Sequence, residues 1–289
     1  MIRFIINLLF LKKKNLSKSK KLDLLIQYII IYVKYLIKYK LLKKRHADEQ
    51  LWDKKIHVVE YAAFVRLFEE IFIKNEYYFK SKNDAPRIID CGSNIGISVI
   101  YFKYLYPKSR ILCFEPSPQN FDILEKNVDE NKLKNITLIN AAVHAKKTKL
   151  NFFNNSVGGG VTSQVVRANS LFSKESIVEV DAVRLSEYIS KPVDLLKLDV
   201  EGSEFDVLKD LVRTGKIKLI RNAIIEYHHH QYYKAANLAS FLHFLEDNNF
   251  EYMISARTYG AFEKSGSQAI MIYMSQAASH RLSIFSETF

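Results

Sequence analysis

Four ionisable side chains fall within eight residues of one apolar run, Val193 to Leu208, "VDLLKLDVEGSEFDVL". A central parallel strand is apolar on both faces, and Lys197 and Asp199 break that rule on one face, two residues apart. Buried charges cost several kcal/mol each, by order of magnitude, unless paired, so the two are expected to pair for a purpose. Asp199 stands at the strand tip, within reach of a ligand. Glu201 and Glu204 flank Gly202 at the turn into the next helix, where acids are favourable at a helix N-terminus or act directly. A later apolar run ends "IIEYHHH", and strand alternation puts His228 and His230 on one face with His229 opposite. One imidazole beside carboxylates suits removal of a proton from an acceptor hydroxyl, with His228 as base and Asp199 orienting. A divalent metal held by Asp199 and Glu201 is the alternative chemistry, although the histidine spacing matches no zinc signature.

The second informative stretch is "IIDCGSNIGIS", Ile88 to Ser98: an apolar run, an acid, then Gly92 and Gly96 around Asn94. A phosphate loop needs G-x-x-x-x-G-K-[ST], and no lysine follows Gly96. A dinucleotide turn needs G-x-G-x-x-G, and Asp90 would repel a pyrophosphate. S-adenosylmethionine carries no phosphate but an amino group and a sulfonium, which suit an acidic turn; Asp90 alternatively caps the following helix. Glu115, 23 residues after Gly92, closes the next apolar run and is followed by Pro116. At that place an acid accepts both hydroxyls of a ribose.

These residues need a sheet to bring them together. Strands are predicted at 87–91, 110–114, 136–141, 193–199 and 223–227, with helices at 95–105, from Pro118 behind a Ser117 cap, at 203–212 and at 235–247. Residues 251–255 and 269–274 read as a closing pair, and 149–153 with 177–183 as a hairpin around the loop "NNSVGGGVTS". Strands alternating with helices at this spacing give a parallel sheet covered on both faces, with its ligand at the strand carboxyl ends.

The chain has 289 residues, 48% of them hydrophobic, enough for one large domain with an extension. Cys91 and Cys113 both lie in strand-like runs, which argues against a disulfide framework and for a reducing, cytoplasmic setting. Residues 1–50 hold 13 Lys and Arg against 3 Asp and Glu, a net of +10 within a total of +12. Over residues 22–42, Asp23, Gln27, Lys34 and Lys38 share one helical face, and the rest is mostly apolar. This reads as a basic amphipathic arm rather than a spanning helix, lying on an anionic inner-membrane surface or packed on the domain. As an appendage outside the sheet pattern, it is expected to be dispensable for folding. The domains are then an arm at 1–50, a helical cap at 51–84, the catalytic domain at 85–276 and a tail at 277–289.

"DCGSNIG", "CFEPSPQNFDILEKNV", "NAAV", "VDLLKLDVEGSEFDVLKD" and "IIEYH", in this order, resemble the FkbM-family methyltransferases, a branch of the class I S-adenosylmethionine-dependent enzymes. The resemblance runs from about Glu69 to Met274 and leaves the first 50 residues outside. It implies a seven-stranded, mostly parallel, doubly wound Rossmann-like sheet with the last strand antiparallel. It implies O-methyl transfer to a hydroxyl of a sugar in a surface glycan or glycolipid, or of a small natural product. On this chain it puts Asp90, Gly92, Asn94 and Gly96 at the methionine end, Glu115 and Pro116 at the ribose, and Asn140 and Ala141 at the adenine edge. Asp199, Glu201 and His228, with Lys197, would face the acceptor. Tyr77, Phe79, Glu204 and the loop around Gly159 would line or roof its cleft. A nucleic-acid partner is not expected, since adenine methylases end this strand in Asn/Asp-Pro-Pro-aromatic, and the chain has Asp199-Val-Glu-Gly.

Overall fold

The computed structural model describes residues 2–14, 17–43, 47–154, 163–165, 177–229, 237–256 and 268–276. The chain opens with helices α1 (Ile2–Lys13) and α2 (Lys18–Lys34), the latter running on as π-helical turns over Tyr35–Leu41. A hairpin of β1 (Ala47–Leu51) and β2 (Lys54–Val58) follows, and then α3 (Tyr61–Phe68) with a π-helical extension, Glu69–Ile73. Glu60 caps α3 by accepting from the Ala63 amide at 2.6 Å.

The main sheet begins with β3 (Arg87–Cys91), α4 (Ile97–Leu105), β4 (Arg110–Phe114), α5 (Pro118–Glu130) and β5 (Ile136–Ile139). The Ser117 hydroxyl caps α5 and Pro118 starts it, as its sequence predicts. Next come β6 (Ala142–His144), β7 (Thr148–Asn154), β8 (Ser163–Val165) and β9 (Ile177–Arg184). The chain ends in β10 (Leu195–Leu198), α6 (Glu204–Arg213), β11 (Asn222–His229), α7 (Leu238–Asp247), β12 (Phe250–Ala256) and β13 (Gln268–Gln276).

Seven strands form the main sheet in the order β12-β13-β11-β10-β3-β4-β5. All the pairs from β11 to β5 are parallel, and β13 runs antiparallel between β11 and β12. The chain winds outward from β3 in one direction and from β10 in the other, so the switch point lies between these two neighbours. Strand alternation then sorts the core. Ile88, Leu195 and Ile224 point to the layer that holds α3, α4 and α5, and Ile89, Leu196 and Ile225 to the layer of α6 and α7. A second, smaller sheet, β6-β9-β7-β8, pairs β7 with β9 as the expected hairpin, Phe152 opposite Val178. Asp210 on α6 fastens this sheet to the main body, accepting from Ser186 Oγ at 2.5 Å, Arg184 at 2.8 Å and Arg213 at 2.6 Å.

The N-terminal segment departs from its reading as a detachable arm. Leu11, Leu24, Tyr28 and Ile31 belong to the same buried core as α3 and α4. Asn7 donates to the Tyr28 hydroxyl at 2.9 Å, and Tyr28 in turn donates to buried Glu69 at 2.7 Å. The spacing of positions 24, 28 and 31 makes an inward stripe that the lysines obscure in the sequence. Residues 47–58 are likewise a hairpin where a division at 50 with a wholly helical cap was expected. The loop around Gly159, the tail 277–289 and His230 lie outside the described residues.

Candidate active site

The turn after β3 is held from both sides. Gly92 (φ +85°) and Ser93 donate their amides to the Phe114 carbonyl at 2.9 and 3.0 Å. A Cβ on Gly92 would lie 2.0 Å from the Asp199 carbonyl oxygen, so only glycine permits β3 and β10 to end this close together. Lys197 sits fully buried beside them. Its Nζ donates to the Gly92 carbonyl at 2.6 Å and to Asp199 Oδ2 at 3.2 Å, and lies 3.5 Å from Asp90 Oδ1. Burial works against the ammonium, but Asp199 and Asp90 outweigh it and hold its pKa above the usual lysine range. The pairing expected between Lys197 and Asp199 is present. Lys197 acts as a fixed charge that ties the turn to β10.

Several assignments move. Asp90 is fully buried, accepting from Ser98 Oγ at 2.5 Å and facing Lys197, and does not line the cleft. It anchors the lysine where direct contact with the methionine end was expected. Gly96 (φ +88°) starts α4, and a Cβ there would meet Leu124 Cδ1 at 2.7 Å; the glycine serves packing. Asn140 braces the neighbouring turn, donating to the Glu115 carbonyl at 2.8 Å, while Ala141 does line the cleft. Phe79 is fully buried against Phe102 and Tyr106, so it belongs to the core and not to a substrate roof. Tyr77 is also buried, its ring 5.3 Å from the Lys197 ammonium. Glu204, expected at the substrate, is buried beneath His228.

The cleft at the switch point, its open mouth included, has a volume of about 560 Å³. Gly92, Asn94, Glu115 and Pro116 line one part of it, Phe114, Ala141, Ala142, Val143 and Phe152 its apolar wall, and Asp199 and Glu201 the other end. Among the described residues, no Lys or Arg lines it. Glu115 Oε2 accepts from the Asn94 amide at 2.8 Å, and Oε1 from the Ser117 amide at 2.9 Å. Burial still pushes its pKa up to about 7, against the lowering effect of those two amides. A carboxylate offers about four acceptor sites, so each oxygen retains a lone pair for a further donor. Asn120, Val143 and Phe152 were not foreseen. Asn120 stands one turn into α5 behind the Ser117 cap, a position the sequence offers. Phe152 is delivered by a second sheet that only the fold brings to the cleft.

His228 is the hub of the acidic end. Its Nδ1 lies 2.9 Å from Glu204 Oε1, and its Nε2 lies 3.3 Å from Glu201, 3.9 Å from Glu226 and 4.0 Å from Asp199. Glu204 Oε1 also accepts from the Gly202 amide at 3.0 Å, which fixes the ring from behind. Burial disfavours the imidazolium, but the charges of Glu201 and Glu204 prevail and raise its pKa well above the ordinary histidine value. Burial, with repulsion from Asp199 among the causes, pushes Glu201 up to about 7 and Glu226 up to about 8. Glu226 was overlooked, though it lies two residues before His228 on the same strand face. Ligand atoms of Asp199, Glu201 and His228 all lie within 4.8 Å of one another, close enough for the three to share a divalent metal.

A seven-stranded sheet in this order, with one antiparallel strand inserted and an acid closing the strand after the glycine turn, accords with the class I methyltransferase fold of the family its residues match. Residues 90–252 match the methyltransferase FkbM domain. The chain belongs to that family. It is 31% identical over 190 residues to methyltransferase sdnD of Sordaria araneosa, an alignment covering 55% of this chain and 73% of that one. It is 29% identical over 139 residues to the hexuronic acid methyltransferase AglP of Haloferax volcanii, covering 48% and 54% of the two chains. The 2-O-methyltransferase NoeI of Sinorhizobium fredii is 25% identical over 138 residues, covering 43% and 56%.

Proposed function

We propose that the protein is an S-adenosylmethionine-dependent O-methyltransferase acting on a hydroxyl of a sugar, in a surface glycan or glycolipid. The observation that carries this reading is the continuity of the cleft. A carboxylate placed to accept from a diol, Glu115, and an apolar wall occupy one end, and Asp199 and Glu201 the other, with the buried His228 imidazole 3.3 Å behind Glu201. Among the described residues the lining carries no basic side chain, which fits a cofactor without phosphates. Glu115 would hold the ribose, Phe114 and Phe152 the adenine side, and Gly92 and Asn94 the amino-acid end. When bound, S-adenosylmethionine supplies an electrophilic methyl group. The chain's own residues position the hydroxyl, exclude water and receive its proton.

His228 Nε2 points at the side chains of Asp199, Glu201 and Glu226 and is the place for that proton once the imidazole is neutral. Asp199 orients the hydroxyl. General-base assistance of this kind is worth ~10²–10⁴ in rate, and alignment alone an effective molarity on the order of 10⁵ M or more. The sugar acceptor draws support from two relatives whose names specify a hexuronic acid and a 2-O position. A small natural product is the second acceptor class.

The decisive test is calorimetry with S-adenosylmethionine and with NAD, followed by mass spectrometry of candidate sugar acceptors after incubation with the cofactor. Binding of S-adenosylmethionine alone and the gain of one methyl group on a sugar hydroxyl are expected. NAD binding, or methylation confined to non-sugar acceptors, would overturn the corresponding half. Activity abolished by a chelator and restored by Mg²⁺ would make Asp199, Glu201 and His228 metal ligands instead.

A further inference from the structure

Helices α1 and α2 carry an unusual distribution of side chains. The polar face of α2 is turned toward the protein, not away from it. Asp23 accepts from the Trp52 indole at 2.5 Å, Lys34 pairs with buried Glu49, and the Lys38 ammonium lies 6.0 Å from the Tyr61 ring centroid. Tyr28 and Ile31 fill the core. That leaves a second apolar stripe facing outward. Leu22, Ile26, Ile30, Val33 and Ile37 follow one another at intervals of three or four residues, the spacing of a single helix face. Leu9 belongs to a matching stripe on α1, and these six side chains are 40–57% exposed.

Isolated exposed apolar residues are ordinary, but a stripe of five along α2 and its extension, with Ile5, Ile6, Leu9 and Phe10 also exposed on α1, is not. Exposed Lys12, Lys18, Lys20 and Lys40 accompany the stripe, and residues 1–50 carry a net charge of +10. An apolar strip accompanied by lysines matches the cross-section of a bilayer interface, with acyl chains beneath and anionic headgroups around. A soluble protein partner would not call for so large an excess of one charge. Among the described residues no helix is long and apolar enough to cross a membrane. The two helices are also fixed to the domain, with Lys14 donating to the Phe72 carbonyl and to Asn75, each at 2.5 Å.

We infer that the outer face of α1 and α2 is a docking surface for an anionic phospholipid bilayer, on which the two helices lie in the interfacial plane as a rigid part of the domain. The inference does not rest on the methyl-transfer reading, since vesicle binding requires neither cofactor nor acceptor.

The test is sedimentation of the full chain with vesicles of phosphatidylcholine, alone and mixed with phosphatidylglycerol. Binding to the mixed vesicles, weaker binding to the neutral ones, and a loss of binding as salt rises are expected. The triple variant Ile26→Glu, Val33→Glu, Ile37→Glu should reduce vesicle binding about tenfold or more. Its circular dichroism and S-adenosylmethionine affinity should remain those of the parent, because none of the three side chains is in the core. The pair Lys18→Glu, Lys40→Glu should reduce binding to mixed vesicles only. Failure of the parent chain to bind mixed vesicles at low salt overturns the inference, as does a triple variant that binds as well as the parent. Concentration-dependent dimerisation of the parent that the triple variant abolishes, with no vesicle binding, assigns the face to a second copy of this chain and also overturns it.

Discussion

The carbonyl oxygen of Asp199 occupies the space that a side chain on Gly92 would need, 2.0 Å from the position of its Cβ. The two strands at the switch point therefore converge on a glycine, and the floor of the cleft exists only because that residue has no side chain. Gly92→Ala should force β3 and β10 apart at their tips. Backbone strain at φ +85° adds about 1–2 kcal/mol to that clash. Gly215 is the control: it also has positive φ, +69°, but nothing lies within 4 Å of a Cβ there. Urea titrations should place Gly215→Ala about 1–2 kcal/mol below the parent. Gly92→Ala should fall well below that, with S-adenosylmethionine binding lost. Equal losses in the two variants would refute the steric argument.

If Glu115 holds the ribose, it sets a pH dependence for cofactor binding. Its carboxyl is pushed up to about 7, and the charged form is the one that accepts from two hydroxyls. Affinity should therefore strengthen as pH rises through about 7, and binding should release a proton below that value. Glu115→Gln should weaken binding by about 1.5–3 kcal/mol, the range for a hydrogen bond to a charged group, and flatten the pH profile. Calorimetry in buffers of different ionisation enthalpy reads both effects; an unchanged affinity would remove Glu115 from the ribose site.

The sheet, the Ser117 cap, the closing strand pair and the Lys197–Asp199 pair were all legible, because each follows from local alternation, from helix-start preferences or from a rule about buried charge. The roles of Asp90 and Phe79 were not. A motif says that an acid precedes the turn, but whether its carboxylate faces the ligand or a lysine on the neighbouring strand depends on register: Asp90 lies beside Lys197. Phe79 follows an aromatic run whose burial depends on α4 behind it. For the N-terminal helices the sequence leaves two placements open, a membrane surface or the domain, for a related reason. The sequence marks their polar face, but not which partner that face meets, and here it is the hairpin and α3.

Removal of the Tyr28 ring tests that placement. Tyr28 is fully buried, stacks with Phe4 at 5.1 Å and bridges Asn7 to Glu69. Tyr28→Ala should destabilise the whole domain by about 3–5 kcal/mol, the range for truncating a large buried aromatic. A cooperative unfolding transition that moves as one unit is expected. A transition identical to the parent's would return α1 and α2 to the status of an appendage.

Asp210 provides a second measure of how the two sheets are joined. Its pKa is held below the usual carboxylate range: burial opposes this, and hydrogen bonds from Ser186, Arg184 and Arg213 more than offset burial. A lowered folded-state pKa means the stabilisation is present above the unfolded value of about 3.9 and is lost as pH falls through the folded one. Asp210→Ala should cost about 1.5–3 kcal/mol at neutral pH, the range for hydrogen bonds to a charged group, by leaving Ser186 without this acceptor and Arg184 with Glu187 alone. The difference from the parent should narrow in acid, when both lack the charge. A gap that stays constant from neutral pH into acid would assign the effect to packing.

His228 and Glu204 give the sharpest test of the chemistry. The nearby acids hold the imidazole protonated beyond the ordinary histidine range, so a base at this position works only after that proton is lost. If His228 accepts the acceptor's proton, kcat should rise with pH through a limb that lies above the usual value of about 6.5. Glu204→Gln keeps a hydrogen-bonding group near Nδ1 but removes one of the charges that raise the pKa. The limb should therefore move to lower pH, and the NMR titration of the His228 ring should move with it, while cofactor affinity stays constant. A ring titration that shifts while the activity limb stays still would separate the two, and would point to a carboxylate on the Nε2 side, Glu226 or Glu201, as the proton acceptor. Those two are pushed up to about 8 and about 7 and would also act in their charged forms. Glu226→Gln distinguishes them from His228: it should abolish the limb if Glu226 is the base, and only displace it toward lower pH if the imidazole is, because one of the charges that favour the imidazolium is then gone.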